Sequence, residues 1–248
     1  MNIIVFDTET TSLVKPFCYD IGYIIINSDN WQTLKEGSFI VEQTWHNLPL
    51  FCSAYYADKR PNYIKEMKAK KIKMNKFGYI CQQIKRDINN FNVENAFAYN
   101  SKFDEKVFNF NCDWYKCINP FDNIPIKDIR GFVHHNLMNE NFYKFCEKNN
   151  LFTESKNYST TAEDIYKYIT NNIEFVESHT ALDDSKIESE ILKFCVEKGA
   201  DLNKDYNAFR SIERKVIKNL IIETEEETHL YKYKKIWINK EKTKIKLR

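Results

Sequence analysis

The sequence contains little glycine or proline, and it lacks the cysteine pattern of a zinc-binding domain. Only 5 Gly and 5 Pro occur among 248 residues, so nothing indicates a long flexible linker. The 7 cysteines are scattered, and no two of them form a C-x-x-C pair. We therefore expect reduced thiols that pack in the interior, and no structural zinc site.

Long hydrophobic runs are also absent. The longest apolar segments, such as "IIVF" and "IGYIII", are far shorter than the roughly 20 residues that a membrane-spanning helix needs. The first residues do not combine a basic segment with an apolar stretch of signal-peptide length. We expect a cytoplasmic protein with no membrane partner.

Charge is distributed unevenly along the chain. The formal net charge is +2, but residues 231–248 contain eight Lys or Arg and one Glu, so this segment carries +7 and the remainder −5. A basic tail on an acidic body is compatible with binding a polyanion such as nucleic acid. A solvated surface hairpin explains the same charges equally well.

The order of the predicted elements indicates an α/β domain with a mixed sheet. Three strand-like segments come first, "NIIVF", "DIGYIIIN" and "EGSFIVE", and helices and strands alternate after them. The spacing of apolar residues over 77–91 predicts a helix, and Ser101 and Ser159 are expected to cap two others. After residue 199 we expect one more helix, around 207–222, and a two-stranded ribbon formed by "IWI" and "KIKL".

Two acids follow the first predicted strand. Asp7 and Glu9 alternate along the chain, so their side chains share one face at the carboxyl end of that strand. Burying two unpaired carboxylates there costs several kcal/mol each, or forces one to bind a proton, and a divalent cation removes this conflict. Capping of a loop and exposed charges at a strand end are the simpler alternatives.

Two further stretches contain acids and a histidine near predicted helix starts. Asp104 lies in "AFAYNSKFDEKVF", and His179 precedes Asp184 by five residues in "SHTALDDSKIESEIL". Stabilisation of helix N-termini also explains these acids, including Asp183, and an exposed loop explains the histidine.

Together the three stretches resemble the exonuclease motifs of the DEDDh superfamily. "DTETTSL", "YNSKFD" and "HTALDD" match D-x-E, N-x-x-F-D and H-x-A-x-x-D in the same order. This superfamily includes the proofreading subunit of bacterial DNA polymerase III, RNase T and oligoribonuclease. The resemblance covers roughly residues 1–198, and Ser12 stands where the family often has Gly.

The resemblance implies a role for ten residues. Metal ligands would be Asp7, Glu9, Asp104 and Asp184, binding two Mg²⁺ or Mn²⁺ ions, and His179 would be the general base. Substrate-binding residues would be Thr8, Thr10, Leu13, Asn100 and Phe103, with Leu13 as an apolar wedge against the last bases.

The implied fold is an RNase H-like α/β domain at 1–198. It would have a mixed five-stranded sheet, antiparallel over its first three strands and flanked by helices. A lysine-rich helical insertion at about 44–76 would guide the strand, contact a partner or form a solvated cap. Residues 199–248 would form a small helix-plus-hairpin extension with the basic tail.

The implied activity is 3′–5′ hydrolysis of single-stranded nucleic acid, with DNA favoured over RNA. An exoribonuclease of the RNase T kind, and a nucleic-acid-binding accessory that uses the nuclease fold for docking, are the alternatives. Proofreading would require a polymerase or replication partner in trans. The abundance of Lys, Asn and Ile suggests an AT-rich genome, and the format resembles phage-encoded exonucleases, which would act in the host cytoplasm.

Overall fold

The computed structural model describes residues 1–206 and, beyond them, the backbone of three short strands. Residues Met1–Tyr206 form one compact unit, and the three strands belong to a second unit that begins at Asn207.

A six-stranded mixed sheet forms the centre of the first unit. Its strands are β1 (Asn2–Thr10), β2 (Cys18–Asn27), β3 (Gln32–Val41), β4 (Lys73–Asn75), β5 (Val93–Ala98) and β6 (Ile126–Asp128). Their order in the sheet is β4-β3-β2-β1-β5-β6. The first three strands are antiparallel, and β4, β5 and β6 each pair in parallel with a neighbour. The predicted RNase H-like fold class is thereby confirmed.

The sheet has one strand more than the five that the sequence predicted. The additional strand, β4, lies within the segment 44–76 that was expected to be helical. It has three residues and pairs with the end of β3. A strand this short is below the length at which period-two alternation is recognisable, so its pairing partner determines it.

Nine helices lie within residues 1–206. They are α1 (Glu42–His46), α2 (Leu48–Phe51), α3 (Arg60–Lys68), α4 (Phe77–Asn90), α5 (Lys102–Tyr115), α6 (Ile129–Asn136), α7 (Glu140–Asn149), α8 (Ala162–Thr170) and α9 (Ala181–Glu197), with a short 3₁₀ turn at Ala57–Lys59. The helix predicted to begin at Ser159 begins after Thr161, whose hydroxyl accepts a hydrogen bond from the Asp164 backbone N–H. Ser159 instead donates to the Asp164 carboxylate.

Helices cover both faces of the sheet. Along β1, Ile4 and Phe6 pack into a core with α4 and α5, whereas Ile3 and Val5 pack into a second core with α6 and α9. Because β1 is buried on both faces, it reads as a continuous apolar run until Asp7. The first acid therefore comes where the central strand leaves the two cores.

The insertion has a small core of its own. Trp45, Phe51 and Tyr63 are buried there and pack against Tyr19 and Ile40 of the sheet. The guanidinium group of Arg60 lies 4.1 Å from the centre of the Trp45 ring. The insertion is therefore packed against the sheet, and α3 is anchored through Tyr63.

The second unit contains a three-stranded antiparallel sheet. Its strands are β7 (Leu220–Glu223), β8 (Thr228–Leu230) and β9 (Lys244–Leu247), in the order β8-β7-β9. The expectation of a helix through 222 is wrong for residues 220–222, which are in β7, and its remainder lies outside the described residues. "KIKL" forms β9 and pairs with β7, whereas "IWI" lies outside the described residues. In the described part of the chain, no helix has the length and apolar character needed to span a bilayer.

Candidate active site

Asp7 and Glu9 lie at the end of β1 and are paired across the sheet with β2. In the antiparallel register, Asp7 is opposite Gly22 and Glu9 is opposite Asp20. The register shifts immediately after Glu9, where the strand leaves the sheet at Thr10. The two acids are therefore neighbours on one face of the sheet, at the end of the regular part of β1.

Gly22 allows α9 to begin directly against the sheet. A Cβ atom at position 22 would lie 2.0 Å from the Leu182 backbone nitrogen, so no other residue fits there without displacing the helix. The Asp20 carboxylate accepts hydrogen bonds from the Ala181 N–H (3.0 Å) and the Tyr63 hydroxyl (2.8 Å). These contacts bring the first turn of α9, which carries Asp184, to the acids of β1.

Glu9, His179 and Asp184 converge. One ligand atom of each lies within 4.8 Å of one ligand atom of the other two. Asp184 is 6% exposed, and its Oδ1 atom is buried without a hydrogen-bond partner. Asp183, in contrast, is exposed and accepts hydrogen bonds from the Ser178 and Thr180 hydroxyls. The structure therefore brings Asp184, and not Asp183, to the cluster.

Asp104 completes the set of predicted acids, and Glu188 adds one that the sequence reading missed. Asp104 is buried at the start of α5 and accepts a hydrogen bond from the Thr8 hydroxyl (2.7 Å). Glu188 is buried one helical turn after Asp184 and accepts from the Tyr99 N–H (3.2 Å). The four-residue spacing from Asp184 places both on one helix face and was the available signal.

Burial and mutual repulsion raise the pKa values of these acids. Burial, followed by the charges of Asp104 and Glu188, raises the pKa of Asp7 well above its usual range. Burial and then the charge of Asp184 raise the pKa of Glu9 to about 9. Burial and then the charge of Glu177 raise the pKa of Asp184 to about 8. Without a bound cation, the cluster would therefore hold protons near neutral pH.

The donor set fits a divalent cation. The carboxylates of Asp7, Glu9, Asp104 and Asp184 offer hard oxygen ligands, which Mg²⁺ and Mn²⁺ prefer. Asp184 Oδ1 is buried and unpartnered, which is costly unless something else binds it. A cation at this cluster would satisfy that oxygen and offset the repulsion between the acids.

His179 is held by the insertion. Its backbone is left-handed (φ 51°), and its ring stacks on Tyr56 with centroids 4.3 Å apart and planes 15° apart. Lys59 Nζ donates to the Ser178 carbonyl (2.5 Å) and lies 4.5 Å from the centre of the Tyr56 ring. Burial and then the charge of Lys59 lower the pKa of His179. The imidazole is therefore neutral near pH 7 and can accept a proton.

Tyr56 and Lys59 were not among the predicted site residues. Lys59 is 119 residues from Ser178, which it binds, and the insertion gives no sequence signal of this contact. The segment 44–76 was expected to guide the strand, contact a partner or form a solvated cap. The structure shows that it supports the histidine loop.

The two predicted substrate-binding threonines differ in their surroundings. Thr8 is buried, and its hydroxyl donates a hydrogen bond to the Asp104 carboxylate. Thr10 is half-buried, and its hydroxyl donates to the Ser12 carbonyl (3.3 Å). Only Thr10 therefore has a side chain within reach of solvent.

The other three predicted substrate-binding residues also differ in exposure. Leu13 is 74% exposed on the loop after β1, and Lys106 binds its carbonyl oxygen. Asn100 is exposed in a left-handed conformation (φ 60°), and its N–H donates to Asp128. Phe103 is partly buried and packs against the core.

Solved nuclease structures share this fold. The chain superposes on the nuclease domain of 3′hExo, a DEDDh family member bound to rAMP, with a TM-score of 0.53 and 13% identity, over 82% of this chain and 96% of that one. A full-length 3′-exonuclease gives a TM-score of 0.53 and 12% identity, over 84% and 69%. Exonuclease I of E. coli in complex with dT13 gives 0.54 and 15%, over 90% of this chain and 48% of that one.

Sequence comparison alone finds no such relationship. No family model matches the chain, and no curated protein matches it. At 12–15% identity the structural similarity shows the fold alone. The chain shares its fold with these solved nuclease structures.

Proposed function

We propose that the chain is a metal-dependent 3′–5′ exonuclease of the DEDDh type. It would hydrolyse phosphodiester bonds from the 3′ end of single-stranded DNA and release nucleoside 5′-monophosphates. The three structural neighbours are 3′-exonucleases or nuclease domains, and one of them is in complex with a single-stranded oligonucleotide. Their fold supports a nuclease, and the site residues of this chain support the chemistry.

The observation that carries the proposal is the convergence of Glu9, His179 and Asp184. Their ligand atoms lie within 4.8 Å of one another, although the residues come from opposite ends of the unit. Asp184 Oδ1 is buried and has no hydrogen-bond donor in the described part of the chain, and neither has Oδ1 of Asp20, which lies opposite Glu9 in the sheet. An oxygen-rich site with one neutral imidazole is suited to metal-assisted hydrolysis of a phosphodiester.

Asp7, Glu9, Asp104 and Asp184 would hold two Mg²⁺ or Mn²⁺ ions. The chemistry that these ions supply when bound is stabilisation of the charge that develops on the attacking and leaving oxygens. The Thr8 hydroxyl fixes the orientation of Asp104, and the Asp20 carboxylate fixes the first turn of α9 that carries Asp184.

His179 would accept the proton of the attacking water. Its Nδ1 atom lies 3.6 Å from Glu177 Oε2, and a neutral imidazole keeps one ring nitrogen free to accept a proton. A positioned base of this kind contributes typically about 10²–10⁴ in rate. Tyr56 would keep the ring in the orientation that proton transfer needs.

Two exposed side chains are suited to contact bases. Leu13 would be the apolar wedge, and Tyr55, 88% exposed beside Tyr56, offers a ring on which an unpaired base can stack. Selection of single strands would follow, because paired bases cannot present their faces to such side chains. A polymerase or replication partner, a phage source and a cytoplasmic location stay predictions from the sequence.

One assay tests the activity and its specificity together. Matched 5′-labelled DNA and RNA oligonucleotides, single- and double-stranded, are incubated with the full chain and Mg²⁺, Mn²⁺ or a chelator. We expect stepwise shortening of single-stranded DNA from its 3′ end, with mononucleotide products and no reaction in chelator.

The alternative functions give different products. Preferential shortening of RNA would indicate an exoribonuclease of the RNase T kind. Retention of oligonucleotide in a mobility-shift gel, with no shortening under any metal, would contradict the proposal. It would favour an accessory protein that uses the nuclease fold for docking.

A further inference from the structure

Three cysteines that are separate in sequence converge in the first unit. Cys81 lies on α4, Cys112 lies on α5, and Cys117 follows the end of α5. The three sulfur atoms all lie within 4.8 Å of one another. None of the three takes part in the carboxylate cluster or in the contacts that position it.

The end of α5 explains how Cys117 returns to the helix. Lys116 adopts a left-handed conformation (φ 53°), which ends the helix and reverses the chain direction. The Cys117 N–H then donates to the Cys112 carbonyl (3.0 Å). This capping turn places the Cys117 thiol beside that of Cys112, while α4 supplies Cys81 from the adjacent helix.

The three thiols are reduced and are largely shielded from solvent. All seven cysteines are free. Cys81 and Cys112 are buried, and Cys117 is half-buried. The hydrogen bond from the Cys81 thiol lowers the pKa of Cys112, whereas the same hydrogen bond and then burial raise the pKa of Cys81, and burial raises the pKa of Cys117 to about 11.

An open cavity gives solvent access to Cys117. It has a volume of about 370 Å³, and its lining includes Cys117, Gly78, Lys76 and Lys116. A Cβ atom at Gly78 would lie 3.3 Å from the Cys117 Cβ, so the glycine leaves room beside the thiol. Cys117 is therefore the member of the group that lines this cavity, and Lys76 and Lys116 contribute positive charge to its wall.

The geometry points to a Zn²⁺ site formed by Cys81, Cys112 and Cys117, with a water molecule from the cavity as the fourth ligand. Zn²⁺ binds thiolates at about 2.3 Å in tetrahedral geometry, which corresponds to sulfur atoms about 3.8 Å apart. The thiols would need to close by about 1 Å or less from the separation in the structure. Three protons would pass to the buffer on binding, and the lysines would offset the remaining negative charge.

Ligand chemistry separates this site from the carboxylate cluster. Thiolates are soft ligands that select Zn²⁺ and related ions, whereas carboxylates suit Mg²⁺ and Mn²⁺. Sulfur-to-metal charge transfer in the ultraviolet reports thiolate ligation and does not arise from carboxylates. The site can therefore be tested whether or not the chain is a nuclease.

The experiment is a titration of the reduced, metal-free full chain with Co²⁺, followed by thiolate charge-transfer absorbance. We expect saturation of the band at one Co²⁺ per chain and its loss on addition of Zn²⁺, which binds such sites more tightly than Co²⁺. The Cys117→Ser variant should bind Co²⁺ roughly tenfold more weakly or worse, because one of three thiolates is lost. Cys52→Ser, which changes an exposed cysteine outside the group, should behave as the wild type.

Other results would overturn the site. Absence of the band in the wild type would show that the thiols only pack together. A band that persists unchanged in Cys117→Ser, or that disappears in Cys52→Ser, would place the ligands elsewhere. A band that Zn²⁺ does not reverse would contradict the assignment of the metal. Circular dichroism confirms that each variant is folded, and Cys112→Ser provides a second test if Cys117→Ser is not.

Discussion

Two regions of the molecule bury carboxylates, and the regions differ in whether each carboxylate oxygen has a hydrogen-bond donor. Asp87 on α4 is 5% exposed, and it accepts hydrogen bonds from the Tyr23 hydroxyl (2.5 Å) and the Gln83 amide (3.0 Å). Asp184 on α9 is equally buried, yet its Oδ1 atom has no partner in the described part of the chain. Satisfied acids stabilise the fold, whereas an acid left unsatisfied among others marks a site that needs a ligand.

The largest expected effect separates the two acids by activity. Asp184→Asn should lower the rate of nucleotide release by about 10³-fold, corresponding to about 4 kcal/mol of lost transition-state stabilisation. Asp87→Asn is the matched control, and its rate should stay within a few-fold of the wild type where it is folded. Initial rates on a single-stranded oligonucleotide measure both. Equal losses in the two variants would remove the distinction between these acids.

The second effect is stabilisation by metal. Mg²⁺ or Mn²⁺ at 100 times its Kd should raise the free energy of unfolding by about 2.7 kcal/mol, because only the folded chain assembles the cluster. Thermal unfolding with and without metal measures the gain. The Asp7→Asn variant should not be stabilised by metal, whereas Tyr23→Phe, which changes the Asp87 region, should be stabilised as much as the wild type.

The stabilisation by metal should depend on pH. The folded pKa values of Glu9 and Asp184, about 9 and about 8, lie above their ordinary values. Proton binding therefore stabilises the metal-free fold at acidic pH, and this contribution is lost as pH rises through those values. The metal-free protein should become less stable between about pH 5 and pH 9, and saturating metal should flatten the decline. A metal effect that shrinks with rising pH would contradict this account.

The third effect is on the catalytic rate, and it concerns Tyr56, the tyrosine that stacks on His179. Tyr56→Ala should lower kcat by about 10- to 100-fold through loss of the stacked geometry, with KM nearly unchanged. Tyr56→Phe keeps the ring and should retain most of the activity. Rates of single-turnover hydrolysis measure the difference. A kcat for Tyr56→Phe as low as that for Tyr56→Ala would show that the hydroxyl, and not stacking, matters.

The smallest expected effect concerns the stability of the fold around Asp87. Tyr23→Phe removes one hydrogen bond to the buried Asp87 carboxylate and should lower the free energy of unfolding by about 1–2 kcal/mol. Asp7→Asn, which removes an acid whose charged form is disfavoured by burial and by its neighbours, should leave the metal-free protein equally stable or more so. Urea unfolding compares the two variants. A stable Tyr23→Phe together with a destabilised Asp7→Asn would reverse the roles given to the two regions.

Local patterns in the sequence were sufficient for much of the fold. The apolar run before Asp7, the turn signals between the first strands and the helical spacing over 77–91 each reflect short-range periodicity. The same applies to Asp7 and Glu9, whose alternation alone places them on one face. The strand β4 was missed because three residues pairing with the end of β3 leave no periodic signal.

Contacts between distant segments could not be predicted. Gly22 shows no local sign that the first turn of α9 will lie against it, and Tyr56 gives none that it will stack on His179. The convergence of Cys81, Cys112 and Cys117 could not be predicted either, because no spacing along the chain relates α4 to the end of α5. Glu188 is the exception, since its distance of four residues from Asp184 could have been used.

Anomalous diffraction from crystals soaked in Mn²⁺ tests the central claim most directly. The account predicts two anomalous peaks among Asp7, Glu9, Asp104 and Asp184, with one of them bound by Asp184 Oδ1, and both absent in Asp184→Asn or reduced to one. Mn²⁺ found only at other acids of the surface, with these four carboxylates turned away from one another, would contradict it.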